Sequence, residues 1–279
     1  VNPESGFLQA CGTLPWVTTF PAPMTSDKFP AWLFDDRDTY RARRVRHLLG
    51  MGKRSYDDVQ SMVFDVLVPF AASAIPRLLE MTDQNKKWVE TAHPDLAAAV
   101  ELLRRWSFVA EPNSPAMTLF HVWMTSYRKL TPNFEDETDR FDAFFTYQTN
   151  PQLALEALAQ AVRLLRNDFN TISVPWGNVH IVQRGARSEP LAGGSSGDPI
   201  FLTKDSVYDA GQWQVTGGFA FAMVVHFASP VEAVSMLPFG ISENPQSDHF
   251  SDQLDLLVHR RFKRTPFKPE HIERYASKA

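Results

Sequence analysis

The sequence predicts an α+β protein, with helices gathered in one stretch and strands in another. Two observations carry this. Between residues 35 and 169, apolar side chains recur at helical spacing, with capping residues and breakers at the ends of each run. From about Thr171 the pattern shortens to alternation, with β-branched residues inside the runs and turn residues between them. Helices followed by strands, rather than alternating with them, make an α+β layout. With 279 residues, 44% hydrophobic and 22% charged, the chain has room for one large domain or two small ones. We divide it into residues 1–34, 35–170 and 171–279, as parts of one domain.

Residues 1–30 read as extended and loop-rich, because Pro3, Pro15, Pro21, Pro23, Pro30, Gly6 and Gly12 forbid a long helix. A helix is predicted from Asp35 to Leu49, capped by Asp35 or Asp36. Tyr40, Arg44, Val45 and Leu48 recur along it, and Gly50 and Gly52 end it. Ser55 to Glu80 is a second helical stretch, opened by a Ser55-x-x-Asp58 capping box and kinked or divided at Pro69 and Pro76. A third runs from Asp95 to Phe108, with Leu96, Val100, Leu103 and Trp106 inward. Asp95 stands where a negative charge meets the positive end of the helix dipole. Pro115–Leu130 and Asn150–Phe169 supply two more.

The strand pattern begins with Val179, Ile181 and Gln183, and Asp198 to Leu202 reads as another strand. Phe219–Phe227 and Val231–Leu237, joined by Ala228-Ser229-Pro230, form an antiparallel hairpin. Pro238 and Gly240 break the second strand. A polar loop, Ile241 to Ser251, follows, and Asp252 caps a short helix through Val258. The loop's backbone groups need partners, and Ser242, Asn244, Ser247 and Asp248 are suited to supply them.

A net charge of -4 gives no electrostatic case for nucleic acid or an acidic membrane surface. The cluster Arg41, Arg43, Arg44 and Arg46 reads mainly as a solvated helix face with ion pairs. Cys11 is the single cysteine, so no internal disulfide forms. No apolar run approaches the ~20 residues of a membrane span. No signal peptide opens the sequence, and Val1-Asn2-Pro3-Glu4-Ser5-Gly6 reads like the inside of a protein, so a fragment or a processed chain is expected.

Several motifs invite chemistry and are better read otherwise. Gly193-x-Ser195-x-Gly197 matches a nucleophile elbow, but no helix follows it, and a flexible Gly/Ser loop is the better reading. His249 with Asp248 and Asp252 lacks a second His at ligand spacing, so these side chains bond their own loop rather than a metal. His180 and His226 read as satisfied histidines on strand faces. Cys11 reads as a buried thiol without a His partner.

The order Gly240-x-Ser242-x-x-Pro245-x-Ser247-x-His249-Phe250-x-Asp252-Gln253-Leu254, with Arg264-x-Pro266-Phe267 beyond it, resembles the end of the β chain of the penicillin acylase family of N-terminal-nucleophile hydrolases. The resemblance is strongest to the acyl-homoserine-lactone and aculeacin acylases. Pro175-Trp176-Gly177, His180, Arg184-Gly185 and Pro190-Leu191-Ala192-Gly193-Gly194 fit it as well, and residues 84–150 fit it least.

The resemblance implies part of an αββα sandwich, with residues 1–34 entering the core sheet and 35–170 as a helical insertion. It implies hydrolysis of an amide between an acyl chain and a small amine. The nucleophile would be a Ser, Cys or Thr that opens the β chain and uses its own α-amino group as base. Val1 is none of these, so the partners implied are an upstream α chain and the first half of the β chain. No metal or organic cofactor is implied, and a periplasmic or secreted location is.

Two site residues follow from the resemblance. The family's oxyanion asparagine lies in an Asn-x-Asn-x-x-Pro pattern; anchored on Pro15, its two Asn positions fall on Ala10 and Gly12, and Gly12 takes the catalytic one. Arg41, in Arg41-x-x-x-Val45-x-x-Leu48-Leu49, aligns with an arginine beside the family's catalytic centre, where a fixed guanidinium can orient an oxygen. Trp16, Trp32, Trp123, Trp176 and Trp213 are candidates for an acyl pocket, Trp16 foremost, although large aromatics mostly fill cores.

Overall fold

The computed structural model describes residues 2–22, 24–30, 32, 38–131, 151–206 and 208–276. The predicted helix starts at Asp35, Asp36 and Asn150 lie outside the described residues. Within them, the layout is helices first and strands after, as the periodicity predicts. Two short 3₁₀ turns, Pro15–Val17 and Ser26–Lys28, interrupt the first part. No strand is assigned among its described residues.

Helix α1 is Tyr40–Gly50, and its cap is Thr39, whose Oγ1 accepts from the Ala42 N–H at 3.1 Å. The stretch after it is two helices, α2 (Tyr56–Val63) and α3 (Pro69–Gln84). The Ser55–Asp58 capping box opens α2 as predicted, with both bonds made. Pro69 takes the first position of α3, where a missing N–H costs nothing, and Pro76 is absorbed inside it. Helix α4 (Lys86–Ala92), which the periodicity does not predict, starts after Asn85 without a side-chain cap.

Helix α5 (Leu96–Arg104) is shorter than predicted. Asp95 precedes it without capping, because its carboxylate is taken by Arg166 in two 2.6 Å bonds. Helix α6 (Pro115–Leu130) is buried almost all round, from Ala116 to Tyr127, as a helix without a polar face must be. It packs on α7 (Pro151–Phe169), whose Ala154, Ala157 and Ala161 face the core and allow close approach. The Trp123 indole N–H donates to the Ala154 carbonyl at 3.1 Å, so this tryptophan is core.

A short helix α8 (Trp176–Val179) leads into the strands. The first sheet contains β1 (His180–Arg184), β2 (Arg187–Pro190), β3 (Thr203–Asp205) and β4 (Trp213–Gly218), in the order β2-β1-β4-β3. The predicted strand at 198–202 is absent. Asp198 is left-handed (φ 58°) and Pro199 lacks a donor, so regular pairing starts only at Thr203.

The second sheet is β5 (Ala222–His226), β6 (Glu232–Met236) and β7 (Lys263–Arg264). Strands β5 and β6 form the predicted hairpin, with Val224 opposite Val234. Helices α9 (Leu254–Val258) and α10 (Pro269–Ala276) close the described chain. Gln253, not Asp252, holds the cap position of α9. Among the described residues, no helix is long and apolar enough to cross a membrane.

Candidate active site

The site begins with a loop closed by one side chain. Gln9, 6% exposed, donates its backbone N–H to the Thr18 carbonyl at 2.9 Å. Its Nε2 donates to the Val17 carbonyl at 2.9 Å and to Thr13 Oγ1 at 3.2 Å. The loop so closed carries Ala10, Cys11, Gly12 and Trp16. Gly12 is in the left-handed region (φ +67°), and a Cβ there would meet nothing within 4 Å. Its glycine therefore serves the backbone turn, and the space beside it is open. Trp16 is half-buried in the 3₁₀ turn, its ring centroid 5.7 Å from that of Phe29.

Helix α1 is docked on this loop by arginine. Arg46, only 7% exposed, donates Nη1 to the Val17 carbonyl at 3.0 Å and Nη2 to both oxygens of Asp38. Arg44 holds Asp65 with two bonds, at 3.1 and 2.7 Å. The solvated-face reading is corrected for Arg46, since a guanidinium buried this far requires a carboxylate partner; the expected ion pairs are made, by Arg43 and Arg44 as well.

Arg41 stands at the second position of α1, where the helix presents unpaired N–H groups and the positive end of its dipole. Asp198 answers both. Its Oδ2 accepts from the Arg41 backbone N–H at 2.7 Å, and its Oδ1 lies 3.5 Å from the Arg41 guanidinium. The Cys11 thiol reports the same neighbourhood. Burial pushes its pKa up; Arg41 pulls it down, Asp198 raises it and Arg46 lowers it. The Cys11 thiol thus lies within electrostatic range of Arg41, Asp198 and Arg46.

Asp198 hangs from a loop anchored in the core. Ser195 Oγ donates to Asp205 Oδ1. His121 Nε2, from α6, lies 3.2 Å from Asp205 Oδ2, and its Nδ1 lies 3.1 Å from Ser196 Oγ. His121 thus links the Asp205 carboxylate to the Ser196 hydroxyl, one ring nitrogen to each. Burial raises the Asp205 pKa, but the His121 and Ser195 hydrogen bonds outweigh it and hold the carboxyl at about 2. Ser196 and His121 form no hydrolytic pair, since Ser196 is fully buried. Nor is Ser195 an elbow nucleophile: its hydroxyl is a donor to Asp205, and no helix follows.

Beside this cluster, Trp176 stacks on His180 at 4.4 Å, and its indole N–H donates to the Gly193 carbonyl at 2.8 Å. His180 Nδ1 bonds the Leu191 carbonyl at 2.8 Å, and burial drives its pKa down to about 4. Trp213 joins the same aromatic group, 5.9 Å from Trp176. Trp123, Trp176 and Trp213 are core side chains, and Trp32 is 82% exposed, which leaves Trp16 as the tryptophan on the candidate loop.

The polar loop after β6 uses its own Ser and Asn side chains, as predicted, and takes further bonds from Arg184. Ser242 and Ser247 hydroxyls accept from the Asn244 and His249 N–H groups, and the Asn244 side chain accepts from Gln246 N–H. His249 Nδ1 lies 2.9 Å from Asp252. Among the described residues no group of three His, Cys, Asp or Glu is placed to hold a metal.

The family model described as penicillin amidase matches residues 1–274. The chain belongs to the penicillin amidase family.

Among curated relatives, an acyl-homoserine lactone acylase PvdQ of Pseudomonas syringae pv. syringae is 26% identical over 253 residues, covering 85% of this chain and 31% of the relative. The PvdQ acylase of Pseudomonas savastanoi pv. phaseolicola is 25% identical, covering 97% and 36%. The chain thus spans about a third of the length of these relatives. A solved thermostable penicillin G acylase from Alcaligenes faecalis shares the fold with a TM-score of 0.51 at 15% identity, over 98% of this chain and 56% of that one. That match confirms the α+β, N-terminal-nucleophile-hydrolase fold expected from the motifs.

Proposed function

We propose that this chain is the C-terminal part of an amidohydrolase that cleaves the amide between an acyl chain and a small amine, such as a homoserine lactone or a β-lactam nucleus. The observation that carries it is the family match over residues 1–274. The named activity of the acyl-homoserine lactone acylase relatives supports the substrate class.

In this reading, a Ser, Cys or Thr at the start of a β chain attacks the acyl carbonyl, with its own α-amino group as base. The amine leaves with a proton, and water releases the acid from the acyl-enzyme. The Gly12 backbone N–H stands at the oxyanion position, and Arg41 orients an oxygen beside it. Trp16 contributes to the acyl side of the substrate site. The partners are the α chain and the N-terminal half of the β chain from the same precursor, in the periplasm or outside the cell.

Ala10 and Gly12, at positions where the family's pattern carries asparagine, motivate a second reading: a non-catalytic relative that keeps the scaffold. Intact-mass analysis of the natively purified protein, followed by N-octanoyl homoserine lactone hydrolysis, separates the two. A co-purifying chain beginning with Ser, Cys or Thr, together with release of free homoserine lactone, is expected. A lone species of 31.6 kDa without hydrolysis overturns the acylase reading.

A further inference from the structure

Arg41 occupies an adverse position. A guanidinium at the second residue of α1 faces the positive end of the helix dipole, and no acidic residue lies in that first turn. Its placement there needs a compensating anion. The compensation comes from 157 residues away, through Asp198.

The Gly197–Asp198 pair is shaped for this task. Both residues are left-handed, at φ 82° and 58°. Aspartate is among the few side chains that tolerate that region. A Cβ on Gly197 would come within 2.3 Å of Val68 Cγ1. The Gly197 carbonyl accepts from the Phe70 N–H at 3.3 Å, at the second position of α3. Asp198 accepts at the same position of α1. One dipeptide therefore caps two helices and fixes their first turns relative to each other. Its own loop is held at Ser195 and Ser196 by Asp205 and His121.

We infer that Asp198 is a positioning residue that fixes the Arg41 guanidinium in the active site. This rests on the reading that Arg41 serves the catalytic centre. The carboxylate neutralises the helix N-terminus through the Arg41 backbone N–H, and its second oxygen limits where the guanidinium can point. Removing its charge leaves Arg41 against an uncompensated dipole, free to turn toward solvent.

The test is a double-variant cycle in the assembled acylase that contains this chain, with the p-nitroanilide of octanoic acid as probe. Asp198→Asn keeps the shape and an acceptor but loses the charge. It is expected to lower kcat about tenfold with KM within about twofold, the signature of a lost transition-state interaction. Arg41→Ala is expected to lower kcat further. In kcat the double variant should fall no lower than Arg41→Ala alone, because the catalytic effect of Asp198 runs through the Arg41 guanidinium; its bond to the Arg41 backbone N–H, which Arg41→Ala retains, is read separately as a melting temperature. Independent, multiplicative losses, or full activity in Asp198→Asn beside an impaired Arg41→Ala, overturn this inference and leave the Arg41 reading intact. Full activity in Arg41→Ala overturns both. Should Asp198→Asn not fold, Asp198→Glu, which retains the charge but displaces the carboxylate, carries the same cycle.

Discussion

Arg184 holds Phe250 twice: its guanidinium lies 3.8 Å from the ring centroid, and its Nε donates to the Phe250 carbonyl at 3.2 Å. The same guanidinium reaches the Ser242 carbonyl at 3.1 Å, so one side chain from β1 clamps both ends of the 242–250 loop. We expect Arg184→Ala to cost about 2–3 kcal/mol, from a cation–π contact and two charge-assisted hydrogen bonds. Lysine should restore little of it, since the stack and the fork require a planar group. Urea unfolding of the assembled protein and proteolysis within the loop check this; a lysine variant as stable as the parent contradicts it.

Gly240 should tolerate no side chain. A Cβ would sit 2.1 Å from the His249 carbonyl oxygen and 2.6 Å from Asp252 Oδ1. Gly240→Ala is expected to destabilise by about 1–3 kcal/mol or more through overpacking. Gly50→Ala is the control. A Cβ there meets nothing within 4 Å, and alanine at this helical position should stabilise by roughly 0.5–1 kcal/mol. Melting temperatures moving in opposite directions confirm the contrast.

Burial holds the His180 pKa at about 4, below the 6.5 usual for histidine. The unfolded chain therefore takes up that proton first as pH falls. Stability is fully present above about 6.5 and is lost as pH drops toward 4, by about 3 kcal/mol in all. Asp205 and His121 face the same ring, and Asp205 loses its own contribution only in stronger acid, between pH 3.8 and about 2. His180→Gln should flatten the unfolding free energy between pH 6.5 and 4. An unchanged slope assigns the acid sensitivity elsewhere.

Gly12→Asn places an amide donor where the backbone already turns left-handed and the space is open. Asparagine is the residue best suited to that region after glycine. Stability should change by less than about 1 kcal/mol. An oxyanion donor contributes about 2.7–4 kcal/mol where it is well aimed, so even a partial fit should raise kcat about tenfold. Steady-state kinetics on the octanoyl anilide decides it. No gain, with folding intact, moves the oxyanion position off Gly12.

The helices with strong caps were legible. Ser55 and Asp58 met as a capping box, and Pro115 and Pro151 started helices where their missing N–H is harmless. The polar loop was legible too, because Ser, Asn and Asp carry their own local hydrogen-bond partners. The strand predicted at 198–202 failed because an apolar run does not reveal a left-handed Asp198. Arg46 looked like a surface charge because its carboxylate and carbonyl partners are set by the fold rather than by helical spacing. The His121–Asp205–Ser195–Ser196 cluster draws on three separate segments, and no spacing rule connects them.

By itself, the sequence determined the α+β layout, the hairpin and the family, since these rest on periodicity, turn chemistry and contiguous motifs. The tertiary structure decided which arginines are interior, that Asp198 rather than a neighbouring acid answers Arg41, and that Ser195 is a donor to Asp205 rather than a nucleophile. The physical reason is range. Backbone preference acts over a few residues and is written locally, whereas the compensation of a buried charge depends on whichever distant segment packing brings within about 3 Å.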